Sequence, residues 1–262
     1  IARRWGYDVK GIPDNQAKIV FAKGNFWGRT IYACGTSDDP SRYARFGPYD
    51  NSSHYLVEYN NVEELEKVLS NDPNICAVFL EPIQGEGGVI IPDKDYFYNV
   101  KRLCQTYNCL MIDDEIQAGI GRAGFALYTN YMDIKPDIVL LGKSLSGGLY
   151  PVSAVLTSKE IMDLIKPGEH GSTYGGNPLA AQIVIASLAE VANQNLIANS
   201  FRMGIELGVV LRELEHNKFV KEIRGRGLMY GLELHSDCPF NSYDLSLWLM
   251  ERGLLSKSTK TY

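Results

Sequence analysis

An acidic residue and a lysine, each shortly after an apolar segment, form the pattern most able to do chemistry in this chain. Asp114 comes after the apolar residues 109–112, and Lys143 comes after the apolar residues 138–141. A lysine kept partly desolvated near other groups can have a lowered pKa and form a Schiff base with a carbonyl compound. A carboxylate beside a pyridine nitrogen keeps that nitrogen protonated, so that the ring can withdraw electrons from a carbanion. The two residues can act together only if the fold brings them into one crevice.

Short apolar segments alternate with helical patterns, which favours an α/β fold. We expect strands at residues 17–22, 75–80, 109–112, 138–141 and 152–156, and helices at residues 61–69, 96–107 and 178 to about 215, with a break near 193–195. A first helix is expected to stop at Gly6. Continuous apolar strands separated by helices indicate a mostly parallel sheet covered by helices on both faces. Ligands of such sheets bind beyond the carboxyl ends of the strands, so Asp114 and Lys143 are predicted to share a crevice.

Length and the chain ends bear on domain organisation. The 262 residues are many for one domain and few for two, so we expect one large domain and part of a second. We place the boundary near residue 200, with residues 1–200 as a large domain and residues 201–262 as the start of a small α+β carboxy-terminal domain. No initiator Met or leader is visible, and residues 261–262 close no element. The chain is therefore expected to be an internal fragment.

Composition argues against several classes of protein. The 26 basic and 31 acidic residues give a formal net charge of −5. Nucleic-acid binders usually carry a basic excess, so no nucleic-acid partner is expected. No apolar run approaches the roughly 20 residues of a membrane span, so no membrane insertion is expected. The five cysteines are an odd number without a C-x-x-C pair, and the four histidines lack metal-ligand spacing. We expect a reduced, intracellular protein without a bound metal, in the cytoplasm rather than the mitochondrial matrix.

Two glycine motifs suggest nucleotide binding but fit it poorly. Residues 142–144 resemble the end of a P-loop, yet Asp137 stands where that motif requires its first glycine. Residues 119–124 satisfy the G-x-G-x-x-G pattern of dinucleotide-binding proteins. The acidic residues 113–115 lie between the preceding strand and that motif, and their charge would repel a pyrophosphate. We interpret the second motif as a glycine-rich surface loop, with a dinucleotide-dependent oxidoreductase as a remote alternative.

Four segments follow one another along the chain: residues 81–86 (EPIQGE), 113–117 (DDEIQ), 140–155 (LLGKSLSGGLYPVSAV) and 170–178 (HGSTYGGNP). In this order they resemble segments of one family, the class III pyridoxal-phosphate aminotransferases. Within the family, residues 24–30 (GNFWGRT) and 165–170 (IKPGEH) are most similar to the branch that uses ornithine. The resemblance covers essentially the whole chain. It implies a fold-type-I α/β transferase with pyridoxal 5'-phosphate as its cofactor.

The resemblance also implies roles for the cofactor-binding residues. Lys143 would hold the cofactor covalently and move the proton between substrate and cofactor. Asp114 would pair with the pyridinium nitrogen, and Gln117 would hydrogen-bond the ring hydroxyl. Phe26 would stack on the ring, with a core aromatic as its alternative. Ser172 and Thr173 would lie at the phosphate of the neighbouring subunit's cofactor, which implies a homodimer with composite active sites.

The implied reaction moves the δ-amino group of ornithine to 2-oxoglutarate and gives glutamate 5-semialdehyde and glutamate. Arg29 would bind a substrate carboxylate, for which a bidentate guanidinium is suited. Glu86 would lie near the far end of the substrate, and the arginine that pairs with it in the family would follow Tyr262. Glu81 would have a supporting role or be a satisfied carboxylate at a strand end. The alternatives are an acetylornithine or 4-aminobutyrate aminotransferase and a catalytically inactive relative.

Overall fold

The computed structural model describes residues 1–259, which form a six-stranded sheet, a two-stranded sheet and the helices around them. The strands are β1 Lys18–Ala22, β2 His54–Val57, β3 Ile75–Leu80, β4 Leu110–Asp114, β5 Ile138–Leu141, β6 Ala154–Thr157, β7 Val220–Arg226 and β8 Met229–Leu234. The helices are α1 Ala2–Asp8, α2 Ile31–Gly35, α3 Pro40–Tyr43, α4 Val62–Asn71, α5 Tyr96–Thr106, α6 Tyr128–Tyr131, α7 Lys159–Met162, α8 Pro178–Asn193, α9 Leu196–Arg212 and α10 Ser242–Glu251. Short 3-10 helices span Lys143–Ser146 and Glu213–His216.

The large sheet has the strand order β2-β1-β3-β4-β5-β6. Its first five strands are parallel, and β6 pairs with β5 in the antiparallel direction. The predicted mostly parallel sheet is therefore confirmed. Strand β2 was not predicted, because its four residues HYLV lie between polar segments and show no long apolar run.

Alternate residues of the central strands pack into two separate cores, one on each face of the sheet. Val20, Val78 and Met111 belong to a core that includes side chains of α4 and α5. Their chain neighbours Phe21 and Phe79 belong to a second core on the other face, which includes side chains of α1. Successive side chains of a strand point to opposite faces, so both faces must be covered when every position is apolar. This explains why β3 is buried at all six of its residues.

Helix α1 continues through Gly6 to Asp8, so the expectation that Gly6 stops it is wrong. A Cβ at Gly6 would lie 2.7 Å from the Cβ of Cys76. Gly6 is therefore explained by close packing of the helix against β3, since no larger residue fits between them. The cysteines at positions 34, 76, 104, 109 and 238 are all free thiols in the described chain.

The hairpin formed by β7 and β8 packs against loops of the larger sheet. Its turn residue Gly227 lies so close to Gly124 that an added Cβ would meet the backbone nitrogen of Gly124 at 2.3 Å. Arg224 on β7 donates from Nη2 to the carbonyl oxygen of Gly88 at 2.9 Å. Residues 119–124 are therefore largely buried, and the expectation of a surface loop is wrong because this hairpin and Phe201 of α9 cover them.

The predicted domain boundary near residue 200 falls inside α9, and the two-domain division of residues 1–200 and 201–262 remains a prediction. Helix α9 leads through a 3-10 helix into the β7–β8 hairpin, and α10 follows the hairpin. An α+β arrangement is therefore present after residue 200. The expectation that residues 261–262 close no element lies outside the described residues.

Candidate active site

Four neighbouring parallel strands end at one edge of the sheet. Strands β1, β3, β4 and β5 are adjacent in that order, and all four run in the same direction. Asp114 is the last residue of β4, and Lys143 follows β5 after one intervening glycine. As the sequence predicts, the two residues therefore lie at the ends of neighbouring strands. Burial raises the pKa of both Glu81 and Asp114, and the charge of Lys143 opposes that rise in each case, so the three groups lie within electrostatic reach.

Lys143 lies at the mouth of an open cleft of about 720 Å³. The cleft is lined by Lys143 together with Tyr150, Ser153, Ser172, Tyr174 and Asn177, among others. Lys143 is exposed, so the expected partial desolvation of its amino group is not found in this chain. The reason is that the cleft is open beside it. The backbone of Lys143 has a φ of 35°, a left-handed conformation that is strained for a residue with a side chain and that concentrates at functional sites.

Asp114 is a buried carboxylate with few interactions that offset the cost of burying its charge. It is 4% exposed, and the one hydrogen bond that its side chain accepts within the described chain comes from the backbone N–H of Ile116 at 3.0 Å. Desolvation raises the pKa of Asp114 to about 6, although the Ile116 N–H and the charge of Lys143 oppose that rise. A cationic N–H donor beside the carboxylate would remove this penalty, because an opposite charge favours the ionised form.

Glu81 joins two loops that border the site. Its Oε1 accepts from the backbone N–H of Phe26 at 2.9 Å, and its Oε2 accepts from the backbone N–H of Gly85 at 3.1 Å. Desolvation and the charge of Asp114 raise the pKa of Glu81 to about 8, while the two N–H groups and Lys143 act in the opposite direction. One carboxyl group thus connects the loop after β1 with the loop after β3, and a supporting role for Glu81 in the site stays a prediction.

Phe26 lies in the loop after β1, next to Trp27, whose side chain is held by packing and a hydrogen bond. The ring of Trp27 stacks on Phe21 with a centroid distance of 5.2 Å, and its Nε1 donates to Thr36 Oγ1 at 2.8 Å. Phe26 itself is only half-buried, which does not fit the alternative of a core aromatic. The guanidinium of Arg29 lies 5.4 Å from the centroid of the Phe26 ring. Arg29 is exposed, and no residue of the described chain forms a hydrogen bond with its guanidinium.

Gln117 packs directly against the loop that carries Glu86. A Cβ at Gly85 would lie 1.4 Å from Gln117 Oε1, so a larger residue there would displace the end of the glutamine side chain from its present position. Glu86 accepts from Nζ of Lys257 at 2.7 Å to each carboxylate oxygen. Desolvation raises the pKa of Glu86, but the bonds to Lys257, the charge of Lys143 and a hydrogen bond from Gln117 outweigh it, so the pKa lies below its usual value.

Ser172 and Thr173 lie in an exposed segment between α7 and α8. Ser172 borders the same cleft as Lys143, and its Oγ accepts from the backbone N–H of Gly175 at 3.0 Å. Thr173 is exposed and does not line the cleft. Their assignment to the phosphate of a neighbouring subunit's cofactor stays a prediction.

A pair of carboxyl groups behind the site was not anticipated as a pair. Asp113 is fully buried and Glu115 is 1% exposed, and the hydroxyl of Thr129 lies within hydrogen-bond distance of both, at 3.2 and 3.3 Å. Desolvation and the charge of Glu115 hold the pKa of Asp113 well above its usual value, and desolvation raises the pKa of Glu115 to about 7. The run DDE shows these acids in the sequence, but strand alternation alone does not show that two of them face a threonine from α6.

Lys257 was also missed as a partner of Glu86. A lone lysine 171 residues away carries no signal that pairs it with one particular glutamate.

Within residues 1–259, no helix is long and apolar enough to cross a membrane. In the same range, no group of three or more His, Cys, Asp and Glu residues is arranged to hold a metal ion.

Comparison with known proteins supplies a family. The sequence pattern of the family "Aminotransferase class-III" matches residues 1–261. The mitochondrial ornithine aminotransferase of Drosophila melanogaster is 48% identical over 259 residues, which are 99% of this chain and 59% of that protein. The chain therefore spans about three fifths of the length of the curated relatives it matches.

Solved structures agree with this assignment. The ornithine aminotransferase of Toxoplasma gondii, crystallised in the presence of oxidised glutathione and partially occupied by PLP, superposes with a TM-score of 0.95 and 44% identity over 99% of this chain and 61% of its own. The acetylornithine aminotransferase of Elizabethkingia anophelis superposes with a TM-score of 0.83 and 39% identity, covering 98% of this chain and 61% of its own. With a family pattern over its whole described length and this fold, the chain belongs to the class III aminotransferases.

Proposed function

We propose that the full-length protein is a pyridoxal-phosphate-dependent ornithine δ-aminotransferase. It would transfer the δ-amino group of ornithine to 2-oxoglutarate, giving glutamate 5-semialdehyde and glutamate. The observation that carries the proposal is the placement of exposed Lys143 and the buried carboxylate of Asp114 at the ends of neighbouring strands. The similarity of this chain to ornithine aminotransferases over nearly all its residues supports the substrate.

The residues present fit pyridoxal phosphate. When bound, the cofactor supplies an electron-withdrawing ring that stabilises negative charge on a substrate carbon. Asp114 offers a carboxylate with a raised pKa, one oxygen of which accepts no hydrogen bond within residues 1–259, and this suits a protonated pyridine nitrogen as its counter-cation. Lys143 offers an exposed amino group for covalent attachment and for proton transfer at its Nζ. Phe26 offers a half-buried aromatic ring, which the guanidinium groups of Arg29 and Arg42 also approach, and Gln117 offers a side-chain amide after β4.

The substrate groups would bind at opposite ends of the site. Arg29 is exposed and beside Phe26, where its planar guanidinium suits a substrate carboxylate. Glu86 is the acidic group available to a substrate ammonium, but Lys257 holds both of its oxygens. A cationic substrate therefore has to compete with Lys257 for Glu86. This contact supports a role for Glu86 in choosing between cationic and anionic substrates.

We also infer a homodimer with composite sites. The exposed segment with Ser172 and Thr173 borders the cleft of Lys143, and a second subunit would add the remaining walls. Sedimentation of the full-length enzyme, followed by mixing of a Lys143→Ala subunit with a Thr173→Ala subunit, would test this. Recovery of activity in mixed dimers supports shared sites, and no recovery contradicts them.

For the compartment, we propose an intracellular enzyme, with the cytoplasm favoured by the sequence-based prediction. The Drosophila relative is named as mitochondrial. Fractionation of the native cells with an antibody against the full-length protein decides between the two compartments.

The first experiment is borohydride reduction of the full-length protein with pyridoxal phosphate, followed by peptide mass mapping. We expect a stable adduct on Lys143 and none on Lys166, an exposed lysine of the same chain that serves as an internal control. A Lys143→Ala variant should lose the adduct and at least about a thousandfold of the half-reaction rate with ornithine. An unmodified Lys143 in the full-length enzyme would refute the proposal and favour a catalytically inactive relative.

An acetylornithine or 4-aminobutyrate aminotransferase is the second candidate, since an acetylornithine enzyme shares the fold and 39% identity. The kcat/KM values for ornithine, acetylornithine and 4-aminobutyrate, measured with the same enzyme preparation, separate the candidates. A preference for either of the last two would contradict the ornithine assignment and leave the cofactor assignment intact.

A further inference from the structure

Arg42 connects the two loops that carry Phe26 and Glu86. Its Nη1 donates to the carbonyl oxygen of Asn25 at 2.8 Å, and its Nη2 donates to the carbonyl oxygen of Glu86 at 3.4 Å. Its Nε forms an ion pair with Asp39 at 3.1 Å, and its side chain is only 11% exposed. The guanidinium also lies 5.0 Å from the centroid of the Phe26 ring. An arginine on a four-residue surface helix would normally extend into solvent, and this one turns inward.

The contacts of Arg42 complement those of Glu81. The carboxylate of Glu81 accepts from two backbone N–H groups, one in each of the same two loops. The guanidinium of Arg42 donates to two backbone carbonyl groups, again one in each loop. The loops are therefore fixed to each other by a carboxyl group that accepts from backbone N–H groups and by a guanidinium that donates to backbone carbonyl groups. Glu81 directly follows β3 of the sheet, whereas Arg42 reaches the loops from the separate segment of α3.

We propose that Arg42 is a positioning residue that fixes the Phe26 ring relative to the main chain of Glu86. The role of Phe26 and Glu86 in binding cofactor and substrate rests on the proposed function, whereas the connection between the loops does not. The planar guanidinium can donate to both carbonyl groups at once, because its nitrogens form a rigid fork. A lysine at this position keeps the charge but has a single nitrogen on a flexible chain, so it cannot hold both loops in one geometry.

Removal of Arg42 leaves the buried Asn25 with an unpaired carbonyl group and the Phe26 ring without one of its two neighbouring cations. We expect the loops to separate and the ring to lose its fixed position. A displacement of about 1 Å in a positioning group can reduce catalysis by up to about a hundredfold. Because Arg42 acts through Phe26 and not on the cofactor itself, we expect a smaller effect, roughly tenfold in the dissociation constant of pyridoxal phosphate.

The test uses the full-length protein with Arg42→Ala and Arg42→Lys. Arg3→Ala is the matched control, since Arg3 also lies over an aromatic ring, that of Tyr32, and donates to a backbone carbonyl group, that of Ser53, neither of which belongs to the two loops. In cofactor-free protein, deuterium uptake is measured for peptides covering residues 24–29 and 85–88. In protein loaded with pyridoxal phosphate, the dissociation constant and the visible circular dichroism band of the bound cofactor are measured, with and without added guanidinium chloride at non-denaturing concentration.

Both Arg42 variants are expected to exchange faster in both peptides, to bind pyridoxal phosphate roughly tenfold more weakly and to have an altered dichroism band. Guanidinium should restore the band in Arg42→Ala and have no effect on Arg3→Ala. If Arg42→Ala does not fold, Arg42→Lys alone must show the faster exchange and the altered band. The inference would be overturned if a folded Arg42 variant kept the wild-type deuterium exchange, the wild-type dissociation constant for pyridoxal phosphate and the wild-type dichroism band. A wild-type protein that binds no pyridoxal phosphate would overturn the proposed function, while the exchange data would still test the connection between the loops.

Discussion

Replacing Asp114 by Asn should stabilise the cofactor-free protein even though it disables the proposed reaction. Burial raises the pKa of Asp114 from its usual 3.8 to about 6 in the folded protein. The folded state therefore holds this proton more tightly than the unfolded state, so stability falls as the pH rises through about 4 to about 6. A shift of this size corresponds to about 3 kcal/mol of destabilisation at pH 8 and to about half of that at pH 5.

An asparagine at this position cannot ionise, and its Oδ1 can still accept from the backbone N–H of Ile116. Its amide group would lack a partner at the position of the second carboxylate oxygen, which costs about 1 kcal/mol. The balance favours Asp114→Asn by about 2 kcal/mol at pH 8 and leaves little difference at pH 5. The charge of Asp114 also raises the pKa of Glu81, so its removal relieves that carboxyl group and favours the variant at pH 8 in the same direction.

The assay is urea unfolding of the cofactor-free full-length protein at pH 5 and pH 8, followed by tryptophan fluorescence. Asp14→Asn, at an exposed aspartate, is the matched control and should show no pH-dependent difference from wild type. Loading with pyridoxal phosphate should reverse the order, since only the carboxylate gains a cationic partner. An Asp114→Asn protein that is less stable than wild type by the same amount at both pH values would refute the reasoning, because burial would then not penalise the charge.

Three further substitutions test separate features. Asn61→Ala should lower the free energy of unfolding by about 1 kcal/mol, because the Asn61 side chain caps α4 by accepting a backbone N–H at 2.9 Å. Urea unfolding measures this loss, and an unchanged midpoint would contradict the prediction. Gly6→Ala should lower the free energy of unfolding by about 1–3 kcal/mol through overlap with Cys76. The same assay would show no loss of stability if α1 can move away. Gly85→Ala should displace Gln117 and weaken pyridoxal-phosphate binding while the unfolding midpoint changes little, as titration by absorbance can show.

The sequence predicts the centre of the sheet well because its strands are buried on both faces. The apolar runs 75–80 and 138–141 coincide with β3 and β5 at both ends. Asn61 is recognisable as a helix cap from its type and from the acidic residues after it. Such signals are local, so they survive without knowledge of the tertiary structure. They were sufficient to place Asp114 and Lys143 at the ends of neighbouring strands.

Features that depend on distant partners could not be predicted. Strand β7 contains the charged sequence VKEIRGR and is a strand because it pairs with β8, to which Arg224 adds an ion pair with Glu233. Gly6 is a helix breaker by type, but its contact with Cys76 determines its position inside α1. Arg42 resembles an ordinary surface arginine until the loops of Asn25 and Glu86 are seen around it. In each case the deciding atoms lie far away along the chain.

The hairpin of β7 and β8 is connected so that its rotation would displace the loop of Glu86. Its turn at Gly227 packs directly against the backbone at Gly124, with no side chain between them. The hairpin could rotate about this contact. Arg224 lies further along the same strand and is attached to the carbonyl group of Gly88. A rotation of the hairpin about its turn would therefore pull on the loop that holds Glu86, two residues before Gly88. A displacement of the outer hairpin would reach the acidic end of the site through the Arg224 side chain and the main chain at Gly88.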